Sequence, residues 1–117
     1  MVSDLKIPRT AIEVFRMLPE GTRVEVLNCA LYMCEPVSLS HQRTISDLLL
    51  AISQGLGKRV IGDLVLRPLD VYLENQDSAV QPDILFISNS NKHIIKDDGY
   101  VHGAPDLIIE ILLKGER

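Results

Sequence analysis

The stretch Pro105-Asp106-Leu107-Ile108-Ile109-Glu110-Ile111-Leu112-Leu113 is the part of the sequence that says most about the fold. It is a short apolar run entered from a Gly-Ala-Pro turn, a pattern that predicts a strand. Apolar residues on both faces favour burial on both sides, as in a central strand of a sheet. Because strand side chains alternate between the two faces, Glu110 shares its face with Ile108 and Leu112.

Glu110 is the exception in this apolar run. A carboxylate between two buried aliphatic side chains costs several kcal/mol, roughly, unless a partner compensates for the lost hydration. That partner can be an Arg or a Lys, a shared proton or a metal ion. The residues alone leave open an ordinary buried ion pair, a strand end that is open to water, and a metal site. The metal site requires a second acid nearby.

Composition places the chain among globular proteins. Its length of 117 residues favours one domain, residues 1–117. Disordered chains contain fewer hydrophobic residues than the 46% found here, where 24% of the residues are charged. No apolar run approaches the ~20 residues of a membrane span, and no signal peptide is evident at the start. We therefore expect a cytoplasmic protein without a membrane partner, in which Cys29 and Cys34 stay reduced. The net charge of −4 argues against a nucleic-acid coat protein, but not against an enzyme that meets DNA through a local basic patch.

Two helices are predicted from capping residues and apolar spacing. The first begins at Thr10, with Glu13 at the capping-box position three residues later. The second follows Ser38 or Ser40 and is ended by Gly55 and Gly57. Its apolar residues recur at helical spacing: Ile45, Leu48, Leu49, Ile52 and Leu56.

The remaining elements are predicted strands. A hairpin joins residues 23–27 to residues 30–33 through Asn28-Cys29. Further strands are predicted at residues 60–66, 70–73, 83–87 and 105–113, with a polar turn at 74–79 and a long polar loop at 88–103. This order of helices and strands predicts an α/β (α+β) fold with a mixed sheet.

Asp83 supplies the second acid that a metal site would need. It follows Gln81-Pro82 at the start of one predicted strand, and Glu110 lies on another. Two acids on neighbouring strands form a minimal oxygen site for Mg²⁺, which takes one or two carboxylates and fills its other positions with water and phosphate oxygens. Such an ion can activate water and neutralise charge on a phosphodiester.

Five sequence blocks place these acids in a wider pattern. They are Val24-Glu25-Val26-Leu27-Asn28, Ser40-His41-Gln42, Pro68-Leu69-Asp70-Val71, Val80-Gln81-Pro82-Asp83-Ile84 and Gly103-Ala104-Pro105-Asp106-Leu107-Ile108-Ile109-Glu110-Ile111-Leu112. Together they resemble the Uma-two family of bacterial endonucleases, also called domain of unknown function 820, in the restriction-endonuclease-like PD-(D/E)xK superfamily. The resemblance covers roughly residues 10–113.

The resemblance implies a fold, a cofactor and a set of site residues. The fold is a restriction-endonuclease-like mixed sheet flanked by helices, the cofactor is Mg²⁺ or Mn²⁺, and the substrate is DNA. By position, Asp83 and Glu110 match the metal-binding acids. Glu25 matches the acid of the first hairpin and His41 a histidine at the start of the second helix, so all four are candidate catalytic residues. We also expect a homodimer.

The sequence departs from the family pattern at its end. The superfamily places a lysine two residues after the second acid, where this chain has Leu112, and the family supplies its lysine from a later helix that is not found here. The domain is therefore expected to be incomplete at its C-terminus, with Lys114 as a possible substitute. The alternatives to an active nuclease are an inactive enzyme, a non-catalytic homodimeric scaffold, and a regulatory protein that binds DNA without cutting it.

Overall fold

The computed structural model describes residues 7–34, 37–73 and 77–112. Within these residues the helices are α1 (Ala11–Met17), α2 (Leu39–Leu56) and a short 3₁₀ helix (Asn89–Ile94). The strands are β1 (Val24–Leu27), β2 (Ala30–Met33), β3 (Gly62–Leu66), β4 (Val71–Leu73), β5 (Ser78–Val80), β6 (Ile84–Ser88), β7 (Val101–His102) and β8 (Leu107–Ile109). Neither α-helix is long and apolar enough to span a bilayer.

The strands form two sheets. The larger has the order β2-β1-β5-β4-β7 and the smaller the order β3-β6-β8. The pair β4 and β7 is parallel, whereas all other described pairs are antiparallel. The predicted mixed α+β class is therefore confirmed, and the chain passes from the larger sheet to the smaller at residues 81–83, between β5 and β6.

The predicted helix caps are present. The Thr10 side chain accepts a hydrogen bond from the Glu13 backbone N–H at 3.2 Å, and Glu13 reaches back to accept one from the N–H of Arg9 at 2.9 Å. Ser38 is the cap of α2, because its hydroxyl oxygen accepts a hydrogen bond from the His41 N–H at 3.1 Å. Gly57 ends α2 at a positive φ of 61°, where a side chain would be strained.

The predicted hairpin is also present. Asn28 and Cys29 adopt positive φ angles of 49° and 67° between β1 and β2, as a two-residue type I′ turn requires. Glycine fits the second of these positions best, and this chain instead has a cysteine. The turn therefore carries local backbone strain at Cys29.

Two apolar clusters hold the sheets together. The first lies where α1 packs on the larger sheet, with the buried residues Phe15, Val24, Val26, Tyr72 and Ala79. The second contains residues of β4 and β7 in the larger sheet, of β6 in the smaller sheet and of the 3₁₀ helix. Its buried residues are Val71, Leu85, Ile87, Ile94 and Val101. Because it combines residues of both sheets, the second cluster fixes the smaller sheet against the larger.

Gly62 allows β3 to approach β6 closely. A Cβ atom at this position would lie 2.3 Å from the carbonyl oxygen of Ile87 and 2.6 Å from the ring of Phe86. No real side chain occupies such a space, so the pairing of β3 with β6 depends on glycine here.

The prediction of a central strand at residues 105–113 was wrong. Within the described residues, which do not include Leu113, the strand is shorter, Leu107–Ile109, and it lies at the edge of the smaller sheet. Leu107 and Ile108 are 51% and 47% exposed, whereas the central strand β6 is largely buried. An apolar run indicates that a segment favours burial, but it does not reveal which strand has neighbours on both sides.

Two short strands were missed. Ser78 and Ala79 were assigned to a turn and Val101–His102 to a loop, yet these residues belong to β5 (Ser78–Val80) and β7 of the larger sheet. Strands of two or three residues are too short to show an alternating pattern, so only tertiary pairing reveals them. Residues 74–76 of the predicted turn lie outside the described part of the chain.

Candidate active site

One row of three side chains crosses the smaller sheet at its end. The β3–β6 register pairs Leu66 with Ile84, so the next residues, Arg67 and Asp83, lie opposite one another. The β6–β8 register pairs Ile84 with Ile109, which places Glu110 opposite Asp83 on the other side. Because opposite residues on adjacent strands share a face, the row reads arginine, aspartate, glutamate.

Asp83 is the buried centre of this row, with 2% of its surface exposed. Its Oδ1 accepts a hydrogen bond from the Arg67 guanidinium at 3.3 Å. Its Oδ2 accepts one from the Ile111 backbone N–H at 2.8 Å and lies 3.2 Å from Nε2 of His41. The carboxylate is thus fixed from three directions by groups on α2, on the segment after β3 and on the segment after β8.

Glu110 lies at the open side of the row. The residue as a whole is exposed, but its carboxyl group is directed toward Asp83. Partial burial of this group, the charges of Asp83 and Glu25, and the hydrogen bond with Asp83 together raise the pKa of Glu110 to about 7, although Arg67 opposes the shift. A cation beside the two acids would relieve this crowding.

Glu25 lies near the acids, but its observed contact is structural. Its Oε2 accepts a hydrogen bond from the Gln81 N–H at 2.7 Å. The Gln81 side chain continues the network, donating to the carbonyl of Thr22 at 3.3 Å and to Asp70 at 2.8 Å. Glu25 therefore holds the chain where it crosses from the larger sheet to the smaller, two residues before Asp83.

His41 lies in the first turn of α2, which places its side chain beside Asp83. Together with Ile45 it forms the buried part of that helix, and it is 6% exposed. Its Nε2 faces Asp83, while its Nδ1 is buried without a hydrogen-bond partner among the described residues. The same is true of Nη2 of Arg67. Nη2 is a hydrogen-bond donor and Nδ1 is a donor or an acceptor according to the tautomer, and the described part of the protein pairs neither.

A cavity of about 320 Å³ lies against this cluster. Its polar lining includes Arg23, His41, Gln42, Arg67 and Asp83. The cavity thus has two guanidinium-bearing residues and one carboxylate in its wall, on the side of Asp83 away from Glu110.

The carboxylates of Asp83 and Glu110 provide part of the ligand set of a divalent metal ion. Two adjacent carboxylates are what Mg²⁺ or Mn²⁺ takes from a protein when water and substrate oxygens complete its shell. Across residues 7–34, 37–73 and 77–112, no three His, Cys, Asp or Glu side chains converge in a ligand cluster. The fit therefore rests on Asp83 and Glu110.

The sequence predictions can now be placed. His41 and Glu110 each contact Asp83, and Glu25 lies near enough for its charge to act on Glu110. Arg67 was missed, because only the strand register shows that it faces Asp83. Lys114, the predicted substitute for the family lysine, lies outside the described residues.

Comparisons with known proteins agree with the fold. The family model for Uma2, described as "Putative restriction endonuclease", matches residues 12–117. A crystal structure of a putative nuclease belonging to DUF820 from Anabaena variabilis superposes with a TM-score of 0.71 at 23% sequence identity. The match covers 94% of this chain and 62% of that one, so this chain spans less than two thirds of the solved structure. No curated protein matches the sequence.

Proposed function

Because the chain belongs to the Uma2 family, we propose that it is a metal-dependent endonuclease that hydrolyses phosphodiester bonds in DNA. The observation that carries the proposal is the pairing of Asp83 with Glu110 across β6 and β8, which crowds two acids at the end of the smaller sheet. Two crowded acids destabilise a protein that has no other use for them, whereas a bound cation would offset their repulsion.

In this proposal Asp83 and Glu110 hold Mg²⁺ or Mn²⁺. The bound ion would supply an activated water molecule and charge neutralisation at the phosphodiester. His41 and the Ile111 N–H keep the Asp83 carboxylate in one orientation, since both contact its Oδ2. Glu25 positions the start of β6 through Gln81. These contacts are positioning roles rather than contacts with the reacting atoms.

The test is a calorimetric titration of the protein with Mn²⁺, beside the variant Glu110→Gln. Gln keeps the size and a hydrogen-bond donor for Asp83, but it removes one of the two acids. We expect binding in the wild type and its loss, or a decrease of at least tenfold, in the variant. Asp47→Asn is the matched control, because Asp47 is an exposed acid on α2 outside the site.

Two results would refute this proposal. Either the wild type does not bind Mn²⁺, or Glu110→Gln binds it as well as the wild type does. If binding follows the expected pattern, plasmid cleavage that requires metal and is absent in Glu110→Gln completes the test. Cleavage that persists without metal would indicate a contaminating nuclease.

The second candidate function is a non-catalytic scaffold. The observation in its favour is that both oxygens of Asp83 are already engaged by groups of the protein, as in a structural ion-pair network. It predicts a folded protein with no metal affinity. The homodimer also remains a proposal. It is supported by the apolar edge of β8, which pairs with no further strand among the described residues, and light scattering tests it. The cytoplasmic location remains a prediction as well.

A further inference from the structure

Strand β2 forms one edge of the larger sheet, and its residues are unprotected against pairing with a further strand. Among the described residues, no strand pairs with its outer side. Leu31, Tyr32 and Met33 are 42%, 53% and 82% exposed, and residues 30–33 contain neither a charge nor a proline. Proteins commonly protect an edge strand with charges, prolines or bulges, because a free apolar edge is a template for pairing.

The hairpin register determines which backbone groups of β2 point outward. The Cys34 N–H donates to the Arg23 carbonyl at 2.9 Å, so these two residues form a hydrogen-bonded pair. Because hydrogen-bonded and non-hydrogen-bonded pairs alternate along an antiparallel hairpin, Tyr32 also directs its N–H and C=O groups toward β1. Leu31 and Met33 lie at the alternate positions, and they therefore direct their N–H and C=O groups away from the sheet.

These outward groups are complementary to a second copy of themselves. When two β2 strands run antiparallel with Tyr32 opposite Tyr32, Leu31 of each strand lies opposite Met33 of the other. Both of these pairs then exchange N–H···O=C hydrogen bonds in each direction, and the Tyr32 side chains meet in the closely spaced pair between them. The twofold axis passes between the Tyr32 residues, and it joins two five-stranded sheets into one continuous sheet.

The distribution of charge favours a copy of this chain over a charged partner. Residues 27–34 contain no charged side chain, although 24% of the residues in the chain are charged and its net charge is −4. Two copies that each carry this net charge repel one another, so an uncharged surface is where they can approach most closely. The β2 edge combines such a surface with apolar side chains that a second copy would cover.

We infer that the chain forms a homodimer by pairing β2 of one copy with β2 of the other about a twofold axis at Tyr32. The other apolar edge, β8, is less exposed, since its most exposed residue is Leu107 at 51% against 82% for Met33. The chain also runs directly from β8 into Ile111, whose N–H already donates to Asp83. The inference specifies the interface of the homodimer, and it is independent of metal binding and cleavage.

The first experiment compares Met33→Pro with Met33→Ala by analytical ultracentrifugation over a dilution series. Proline removes an outward N–H and leaves the bonds between β1 and β2 intact, whereas alanine keeps that N–H and shortens the side chain. Since the paired strands are short, the wild type should be a dimer that dissociates in the micromolar range. We expect Met33→Pro to weaken the dimer about a hundredfold, because each copy loses one hydrogen bond, and Met33→Ala to weaken it less than about tenfold.

Three results would overturn the inference. The first is a wild-type protein that stays monomeric at millimolar concentration. The second is a folded Met33→Pro variant that dimerises as tightly as the wild type. The third comes from Ile108→Lys, which places a charge on the β8 edge and should leave the dimer unchanged. Loss of the dimer in this variant but not in Met33→Pro would place the second copy at β8.

A cross-linking measurement covers the case in which Met33→Pro does not fold. The Cα atoms of the Tyr32 pair should lie about 4.5 Å apart, as in other non-hydrogen-bonded pairs, which a disulfide can span. In a Cys29→Ala, Cys34→Ala background, Tyr32→Cys should therefore form a disulfide-linked dimer with oxidised glutathione. Leu50→Cys is the matched control, because Leu50 lies on α2 and is 59% exposed, against 53% for Tyr32. Equal cross-linking of the two variants, or none in Tyr32→Cys, contradicts pairing through β2.

Discussion

Replacing Glu110 with Gln should stabilise the metal-free protein at pH 8. In the wild type, folding brings the Glu110 carboxyl group close to Asp83 and Glu25, and partial burial adds to the cost of ionising it. Its pKa rises from 4.5 to about 7 as a result. Above pH 7 the folded protein therefore holds a crowded negative charge that the unfolded chain holds in water.

The sign and size follow from proton linkage. Between pH 4.5 and about 7 the folded state binds the proton more tightly than the unfolded state, so the free energy of unfolding falls as the pH rises. At about 1.4 kcal/mol per pKa unit the full effect would be about 3 kcal/mol. Because Glu110 is exposed, solvent screens much of this interaction, and we expect about 1 kcal/mol.

Urea unfolding in EDTA at pH 4.5 and pH 8 measures this effect. Glu110→Gln should match the wild type at pH 4.5, where the wild-type carboxyl group is protonated and resembles an amide. The variant should be more stable by about 1 kcal/mol at pH 8, with Asp47→Asn as a control that shows no such pH dependence. A variant less stable than the wild type at pH 8 would refute the reasoning, because Glu110 would then be making a favourable structural contact.

Two further predictions concern the backbone. Cys29→Gly should raise the free energy of unfolding by about 1 kcal/mol, since glycine adopts the φ of 67° without strain. The control Cys29→Ala should not raise it. A destabilised glycine variant would mean that the 4.0 Å contact between the Cys29 sulfur and Asp77 matters more than the strain. Gly62→Ala should lower stability by about 1–3 kcal/mol, because the added methyl group would lie 2.3 Å from the Ile87 carbonyl oxygen. Gly55→Ala is the control for Gly62→Ala, because the space around the Cβ position of Gly55 is open. A thermal melt in which Gly62→Ala is as stable as Gly55→Ala would contradict the close approach of β3 to β6.

Local features were predictable from the sequence. The caps at Thr10 and Ser38, the glycine that ends α2 and the Asn28-Cys29 turn each depend on a few neighbouring residues, and the structure contains them all. Glu110 was singled out as a carboxylate in an apolar run and Asp83 as the second acid that a metal site would need, and the two lie opposite one another at the end of the smaller sheet. Their role in a metal site stays a prediction. These signals are local in sequence, and no tertiary pairing is needed to interpret them.

The features that were missed depend on which strands are neighbours. Glu110 was assigned to a central strand, although β8 lies at an edge and β6 takes the buried position. Arg67 was not considered, because its importance comes from the β3–β6 register that sets it opposite Asp83. Hydrophobic patterns specify which face of a strand is buried, but strand order and register are set by long-range pairing.

The different burial of the two acids has a consequence for how such a chain would change under selection. Asp83 is tied to His41, Arg67 and Ile111, so a lineage that kept only the fold would still retain it. Glu110 instead is expected to lower the stability of the metal-free protein above pH 7, so a lineage without need of its charge would gain stability by losing it. The persistence of Glu110 in related sequences, rather than that of Asp83, is therefore the more informative record of whether chemistry is still under selection.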